Sequence, residues 1–215
     1  MSATGTSSDG TTAQRLASTD GVQKVPTPKA EIFIVREFLS GEECAEICAL
    51  IDEKRRPSEI ADHDGKDDAY RTSETCDLDE SNALVARMNA RLSDLLGIDD
   101  RFGEEIQGQR YAVGQEFKPH TDTFNPGTAD YYRHTADKGQ RTYTAMLFLN
   151  EPEAGGATRF KTLNKTIQPE TGKLLIWNNL RPDGQPNDFT LHQGMKVRKG
   201  TKYIITKWYR EARGR

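Results

Sequence analysis

Long apolar runs are missing from this chain, and so is a strong excess of charge of either sign. The 215 residues carry 30 Lys and Arg against 33 Asp and Glu, a formal net charge of -3. No stretch is long enough and apolar enough to span a bilayer. The N-terminal MSATGTSSDGTTAQRLASTDG lacks the apolar run of a secretion signal. The expected compartment is therefore cytoplasmic, with no membrane partner. Without a global basic field, nucleic acid is not an expected partner either. Lys196, Arg198, Lys199, Lys207, Arg210, Arg213 and Arg215 do crowd the C-terminal end. Solvated, charged strands and a tail account for them more readily than a polyanion site.

Cysteine is scarce. Cys44, Cys48 and Cys76 make an odd number with no CxxC pair, which argues against a disulfide framework or a zinc ribbon. Cys44 and Cys48 sit one helical turn apart on an apolar stripe, where core packing is the default, and this favours a reducing compartment. Histidine is also scarce, with only four in the chain. That scarcity narrows the search for a metal site.

Residues 1–28 are rich in Ser, Thr and Gly and poor in large apolar groups, so a disordered leader is expected there. Residues 29–215 form the expected folded domain, opening with the strand-like run EIFIVREF. Ser40 and Glu43 then spell a capping box ahead of a helix whose buried stripe is Cys44, Ile47, Cys48 and Ile51. A polar stretch covers about residues 55–79. A second helix is expected from about Ser81 to Leu96, with Gly97 as a left-handed stop. Beyond Ile98, short β-rich runs alternate with Gly, Pro, Asn and Asp clusters, the pattern of an all-β sandwich or barrel. The expected fold class is mainly β with flanking α: a jelly roll supported by N-terminal helices.

His120-Thr121-Asp122 is the centre of the functional argument. On a strand, residues two apart share a face, about 6.6 Å along the chain, so His120 and Asp122 can converge on one ion. Two histidines and one carboxylate on one face leave three open positions, the arrangement of non-heme iron(II) oxygenases. H-x-D alone is weak; most such tripeptides lie in surface loops. The third ligand must come from a distant strand, and FTLHQG supplies His192. His63 and His134 lie in polar loops and read as exposed. Downstream, the period of two in TKYIITKWY puts Lys202, Ile204, Thr206 and Trp208 on one face. If that face lines a barrel, Lys202 is a buried cation in need of an anion, and Thr206 could hydrogen-bond the same group. An exposed lysine at a strand end fits the periodicity equally well.

These residues carry a resemblance. YAVGQEFKPHTD, RTYTAMLFLN followed by GGATRF, and LHQGMKVRKGTKYIITKWY resemble the prolyl 4-hydroxylases, across about residues 70–210. The combination of H-x-D, Gly155-Gly156-x-Thr158, His192 and Lys202 is specific to that resemblance. It implies a double-stranded β-helix with iron(II) at the barrel mouth, held by His120, Asp122 and His192, which are then the catalytic residues. It implies 2-oxoglutarate and O2 as cosubstrates, with ascorbate as a candidate reductant. Lys202 would meet the outer carboxylate of 2-oxoglutarate, and Tyr111, Thr206 and Trp208 would line the same pocket. Phe148 departs from the oxygen-sensing members, which have a tyrosine there. Arg71 resembles a residue leading into a mobile substrate loop, although an arginine ending a strand fits as well. Tyr143, Arg159 and Trp177 are candidates for the pocket wall. The polar loops 55–79 and 123–140 flank the ligands and are either lids or plain connections.

The implied reaction couples decarboxylation of 2-oxoglutarate to succinate with hydroxylation of a C–H bond, on a proline of a peptide or protein. A small-molecule or amino-acid hydroxylase on the same scaffold is the nearest rival. A non-catalytic β-barrel module that merely binds metal is the rival from another class.

Overall fold

The computed structural model describes residues 9–58 and 70–211. The chain begins its structure well before the expected boundary. Helix α1, Asp9–Ser18, and a strand, Val22–Lys24, occupy 13 of the 28 residues read as a disordered leader. The reason is economy of anchors: Leu16 is completely buried and Ala13 nearly so, and Val22–Lys24 pairs antiparallel with Ile32–Val35. Arg15 adds a polar tie. Its guanidinium donates to the carbonyls of Asp94 (2.8 Å) and Leu95 (3.3 Å), which a helix C-terminus leaves without intrahelical partners. One buried leucine and one cap hold a segment whose composition is otherwise that of a tail.

Helix α2, Gly41–Lys54, starts at the expected capping box: Ser40 Oγ accepts from Glu43 N–H, and the Glu43 carboxylate accepts from Ser40 N–H. Helix α3, Ala83–Leu96, is capped by Asn82 and stopped by Gly97 at φ +68°. Its buried side chains include Leu84, Val85, Met88 and Leu92. The cysteines are free thiols, and burial pushes Cys44 up to about 11 and Cys48 up to about 12.

The β region is a double-stranded β-helix of two facing sheets, accompanied by a two-stranded pair of Ala154–Gly155 with Val197–Lys199. The eight-stranded major sheet runs, in spatial order, Val22–Lys24, Ile32–Val35, Leu174–Asn178, Arg141–Phe148, Lys202–Arg210, Gln107–Tyr111, Glu74–Asp77 and Arg56–Pro57. The four-stranded minor sheet runs Lys165–Ile167, Thr158–Phe160, His192–Gly194 and Phe117–His120. Strand alternation splits the major sheet's side chains between two cores. Tyr143, Ala145, Leu147, Ile205 and Tyr209 face the helices. Met146, Phe148, Trp177 and Ile204 face the minor sheet and meet Phe160 there. The second interior contains the site.

Two of the C-terminal basic residues, Lys207 and Arg210, are less solvated than expected, whereas Lys196, Arg198 and Lys199 are exposed as expected. Lys207 is 1% exposed and lies among Asn89, Asp100 and Glu80, with Asp100 Oδ1 at 2.5 Å. Arg210 is also buried, against Glu104 and the His134 carbonyl. Burial is tolerated because acidic and amide groups from the neighbouring helical elements reach these cations. Arg213 and Arg215 lie outside the described residues.

Candidate metal centre

The two histidines come from adjacent strands of the minor sheet, where the antiparallel register places His192 directly opposite His120. Asp122 is not on the strand, which ends at His120; it follows in a bend and still converges on the histidines. One ligand atom from each of His120, Asp122 and His192 lies within 4.8 Å of the others. Asp122 Oδ1 is 3.7 Å from His120 Nε2 and 3.9 Å from His192 Nε2. Such a set could hold a metal ion.

The backbone fixes which imidazole nitrogens are available. His120 Nδ1 lies 2.8 Å from the Lys118 carbonyl, and His192 Nδ1 lies 2.9 Å from the Thr190 carbonyl. A carbonyl only accepts, so each Nδ1 carries the hydrogen and each Nε2 keeps a lone pair aimed at Asp122. Burial, reinforced by the neighbouring His192, pushes His120 down to about 3, so its ring stays neutral. Burial alone would raise the Asp122 carboxyl. His192, His120, Arg141 and the Thr144 hydroxyl outweigh it and hold that carboxyl below its usual range. Thr144 donates to Asp122 Oδ2 at 2.7 Å. Two imidazoles with their Nε2 atoms turned to a carboxylate form the donor set of a divalent transition metal.

A narrow chamber leads inward from the triad to Lys202, passing Tyr111, Thr158, Trp177, Thr206 and Trp208. Lys202 is 1% exposed. Its Nζ lies over the rings of Tyr111 (5.2 Å) and Phe148 (5.5 Å), and no anion faces it among the described residues. Burial pushes its ammonium down to about 7. Gly156, at φ +73°, lets the lysine stem pass; a Cβ there would stand 3.3 Å from Lys202 Cδ. On the same wall Tyr111 donates to Gln109 Oε1 at 2.7 Å, and Gln109 Nε2 donates to Thr206 Oγ1 at 3.1 Å. A metal-ligand triad at one end and an unpaired buried cation at the other define a site for an anion that chelates a metal.

The family model of the 2OG-Fe(II) oxygenase superfamily matches residues 106–210, which span the triad, the chamber and Lys202. The chain belongs to this superfamily. Within it the chain is prolyl 4-hydroxylase-like. It is 32% identical over 143 residues to prolyl 4-hydroxylase subunit alpha-1 of Gallus gallus, an alignment covering 66% of this chain and 28% of the relative. It is 30% identical over 184 residues to the human subunit alpha-3, covering 84% and 34% respectively. The chain thus spans about a third or less of these relatives' length. Among solved structures, the viral collagen prolyl hydroxylase of Paramecium Bursaria Chlorella virus-1, in complex with 2OG, superposes with TM-score 0.67 at 25% identity. That superposition covers 84% of this chain and 96% of the viral one.

The remaining candidate residues of this superfamily member divide. Trp177 is in the chamber wall, packed edge-on to His192 with ring centroids 4.8 Å apart. The indole N–H groups of Trp177 and Trp208 are both buried without a hydrogen-bond partner. Arg71 stands at the mouth of an outer cleft of about 970 Å³, which also contains His120, Asp122 and Arg141. It donates to Gln107 Oε1 at 2.8 Å and stacks over Phe117. Tyr143 is not in the pocket wall. Strand alternation turns it to the helix-side core, where its hydroxyl faces Glu31, and gives the site Thr144 instead. Arg159 is likewise turned away, its guanidinium on Asn164 at 3.1 Å, while its neighbour Thr158 faces the chamber.

Thr144, Gln109 and Arg141 are site residues that sequence reasoning missed. Arg141 makes two 2.7 Å hydrogen bonds to Glu104 and lies under Trp208 at 4.0 Å, fixing that indole at the cleft. Of the two flanking loops, residues 59–69, including His63, lie outside the described residues. The 123–140 segment is not a plain polar loop: it contains α4, Ala129–Thr135. Its ends are tied, since Gln140 accepts from Phe124 N–H at 2.9 Å and donates to the Phe124 carbonyl at 2.8 Å. His134 stacks on Phe124 at 4.9 Å.

Proposed function

We propose that this chain hydroxylates a prolyl residue of a peptide or protein, consuming 2-oxoglutarate and O2 and releasing succinate and carbon dioxide. One observation carries the reading: three convergent ligands with both imidazole tautomers fixed, set across a chamber from an anionless buried lysine. His120, Asp122 and His192 hold iron(II), and the bound iron supplies the oxidising chemistry. Lys202 pairs with the far carboxylate of 2-oxoglutarate; Tyr111 lines the same chamber, and the Thr206 hydroxyl, which accepts from Gln109, keeps its hydrogen to donate to that carboxylate. The chamber is narrow, about 30 Å³, and joins the outer cleft at Phe117, His120, Asp122 and Trp208.

The outer cleft of about 970 Å³ opens onto the triad, and the likeness to prolyl 4-hydroxylases makes a peptidyl proline its preferred occupant. Arg71 and Trp208 border both the triad and that cleft, where they orient the target C–H and exclude water. The test is an anaerobic titration of iron-loaded protein with 2-oxoglutarate, then air and a succinate assay with and without proline-rich peptides. A charge-transfer band with peptide-dependent succinate supports the proposal. Succinate indifferent to every peptide sends the substrate assignment elsewhere, and neither band nor succinate overturns the whole.

A further inference from the structure

We propose that Asn179 is a positioning residue for the metal centre, acting through Thr144 on Asp122; the inference rests on the iron reading above. Asn179 follows directly on the strand Leu174–Asn178 and is completely buried. Its amide nitrogen lies 2.8 Å from Thr144 Oγ1, which in turn lies 2.7 Å from Asp122 Oδ2. The direction of this chain follows from proton counting. An ionised carboxylate only accepts, so the single hydroxyl hydrogen of Thr144 must go to Asp122. Thr144 is then left with lone pairs alone toward Asn179, which must present its NH2 group. That orientation strands the side-chain oxygen of Asn179, Oδ1, which is buried without a partner. A polar atom left unsatisfied in an interior is costly, and the side chain is held in place nonetheless, by the backbone bonds Asn179 N–H to Thr142 O (2.6 Å) and Asn187 N–H to Asn179 O (2.9 Å).

The relay makes the two oxygens of Asp122 unequal. Oδ2 is occupied by the Thr144 hydroxyl, and Oδ1 is the one that faces both imidazole Nε2 atoms. Asp122 sits in a bend rather than a strand, so backbone pairing does not aim it. Thr144 lies on the strand Arg141–Phe148 and Asn179 just beyond the end of the adjacent strand Leu174–Asn178, so the pair ties that carboxylate to the major sheet. The result is a carboxylate that offers a metal one oxygen, in one orientation.

The test compares the parent chain with Thr144→Val, Thr144→Ser, Asn179→Ala and the double variant Thr144→Val/Asn179→Ala. Co(II) is the probe, its visible bands reporting ligand geometry and its titration giving affinity. Thr144→Val should weaken Co(II) binding about 10- to 100-fold and alter the bands, and Thr144→Ser should restore both. Asn179→Ala should weaken binding about threefold to tenfold. The double variant should match Thr144→Val within about twofold, because Asn179 reaches the metal only through Thr144. Parent-like binding by Thr144→Val, or full additivity in the double variant, overturns the relay. Should Thr144→Val fail to fold, Asn179→Ala alone decides: unchanged affinity and bands overturn the proposal. A parent chain that binds no Co(II) sinks the iron reading itself, whereas binding indifferent to Thr144 sinks only the relay.

Discussion

His192 stands directly opposite His120 across an antiparallel strand pair, with the two ring centroids 4.3 Å apart. Because the two imidazoles are cross-strand neighbours with both Nδ1 groups tied to backbone, the fold presents them without help from a metal. His192→Ala should therefore abolish succinate formation while leaving the thermal unfolding of the metal-free chain nearly unchanged. A chain that still turns over would remove His192 from the ligand set.

Lys202 should control cosubstrate binding rather than the chemical step. Lys202→Ala removes the one lysine or arginine that lines the inner chamber among the described residues and should raise the 2-oxoglutarate KM by about 100-fold, the order expected for an anion losing a buried partner. The iron affinity should not move. An unchanged KM would place the far carboxylate elsewhere.

The same lysine gives binding a pH dependence of known sign. Burial lowers its pKa from 10.5 to about 7, so between those values the unfolded chain holds a proton that the ligand-free folded chain has released. Stability of the ligand-free chain should accordingly rise with pH across that window. A bound dicarboxylate restores the charge, so binding takes up a proton above pH 7. Affinity should then fall about tenfold per pH unit there and stay flat below. Calorimetry in buffers of different ionisation enthalpy measures the uptake, and an affinity constant from pH 7 to 9 would contradict it.

The N-terminal segment should be a structural part of the domain. Leu16 is fully buried, so Leu16→Ala should cost about 3 kcal/mol, roughly 10 °C in Tm for a chain of this size. Removing residues 1–28 should cost at least as much. A truncated chain with parental Tm would show that α1 adds nothing.

How much of this was legible in the sequence depends on what each residue needed. The capping box of Ser40 and Glu43 is local, and so were the helices it and Gly97 delimit. Lys202, Thr206 and Trp208 follow the period of two, which was legible once the strand was recognised. The same parity, applied to RTYTAMLF, selects Thr144 over Tyr143; the choice of Tyr143 gave weight to an aromatic side chain and ignored which face it occupies. Arg159 and Thr158 repeat that lesson. Asn179 could not be read, because it meets Thr144 from 35 positions away; the Nδ1 partners are carbonyls only two residues before each histidine, but which ring nitrogen turns to them depends on a rotamer that the strand pattern does not set. Helix α1 was missed because composition averages over a segment, while one leucine and one arginine suffice to dock it.

The reciprocal hydrogen bonds between Gln140 and Phe124 close a ring sixteen positions around, beside the substrate cleft. With its stem pinned, and with the tie from Arg210 made to the His134 backbone carbonyl, the stretch between those residues depends little on its own side chains. The excursion behaves as a cassette: its length and side chains can be exchanged to suit a different target without disturbing the strands that carry the metal ligands.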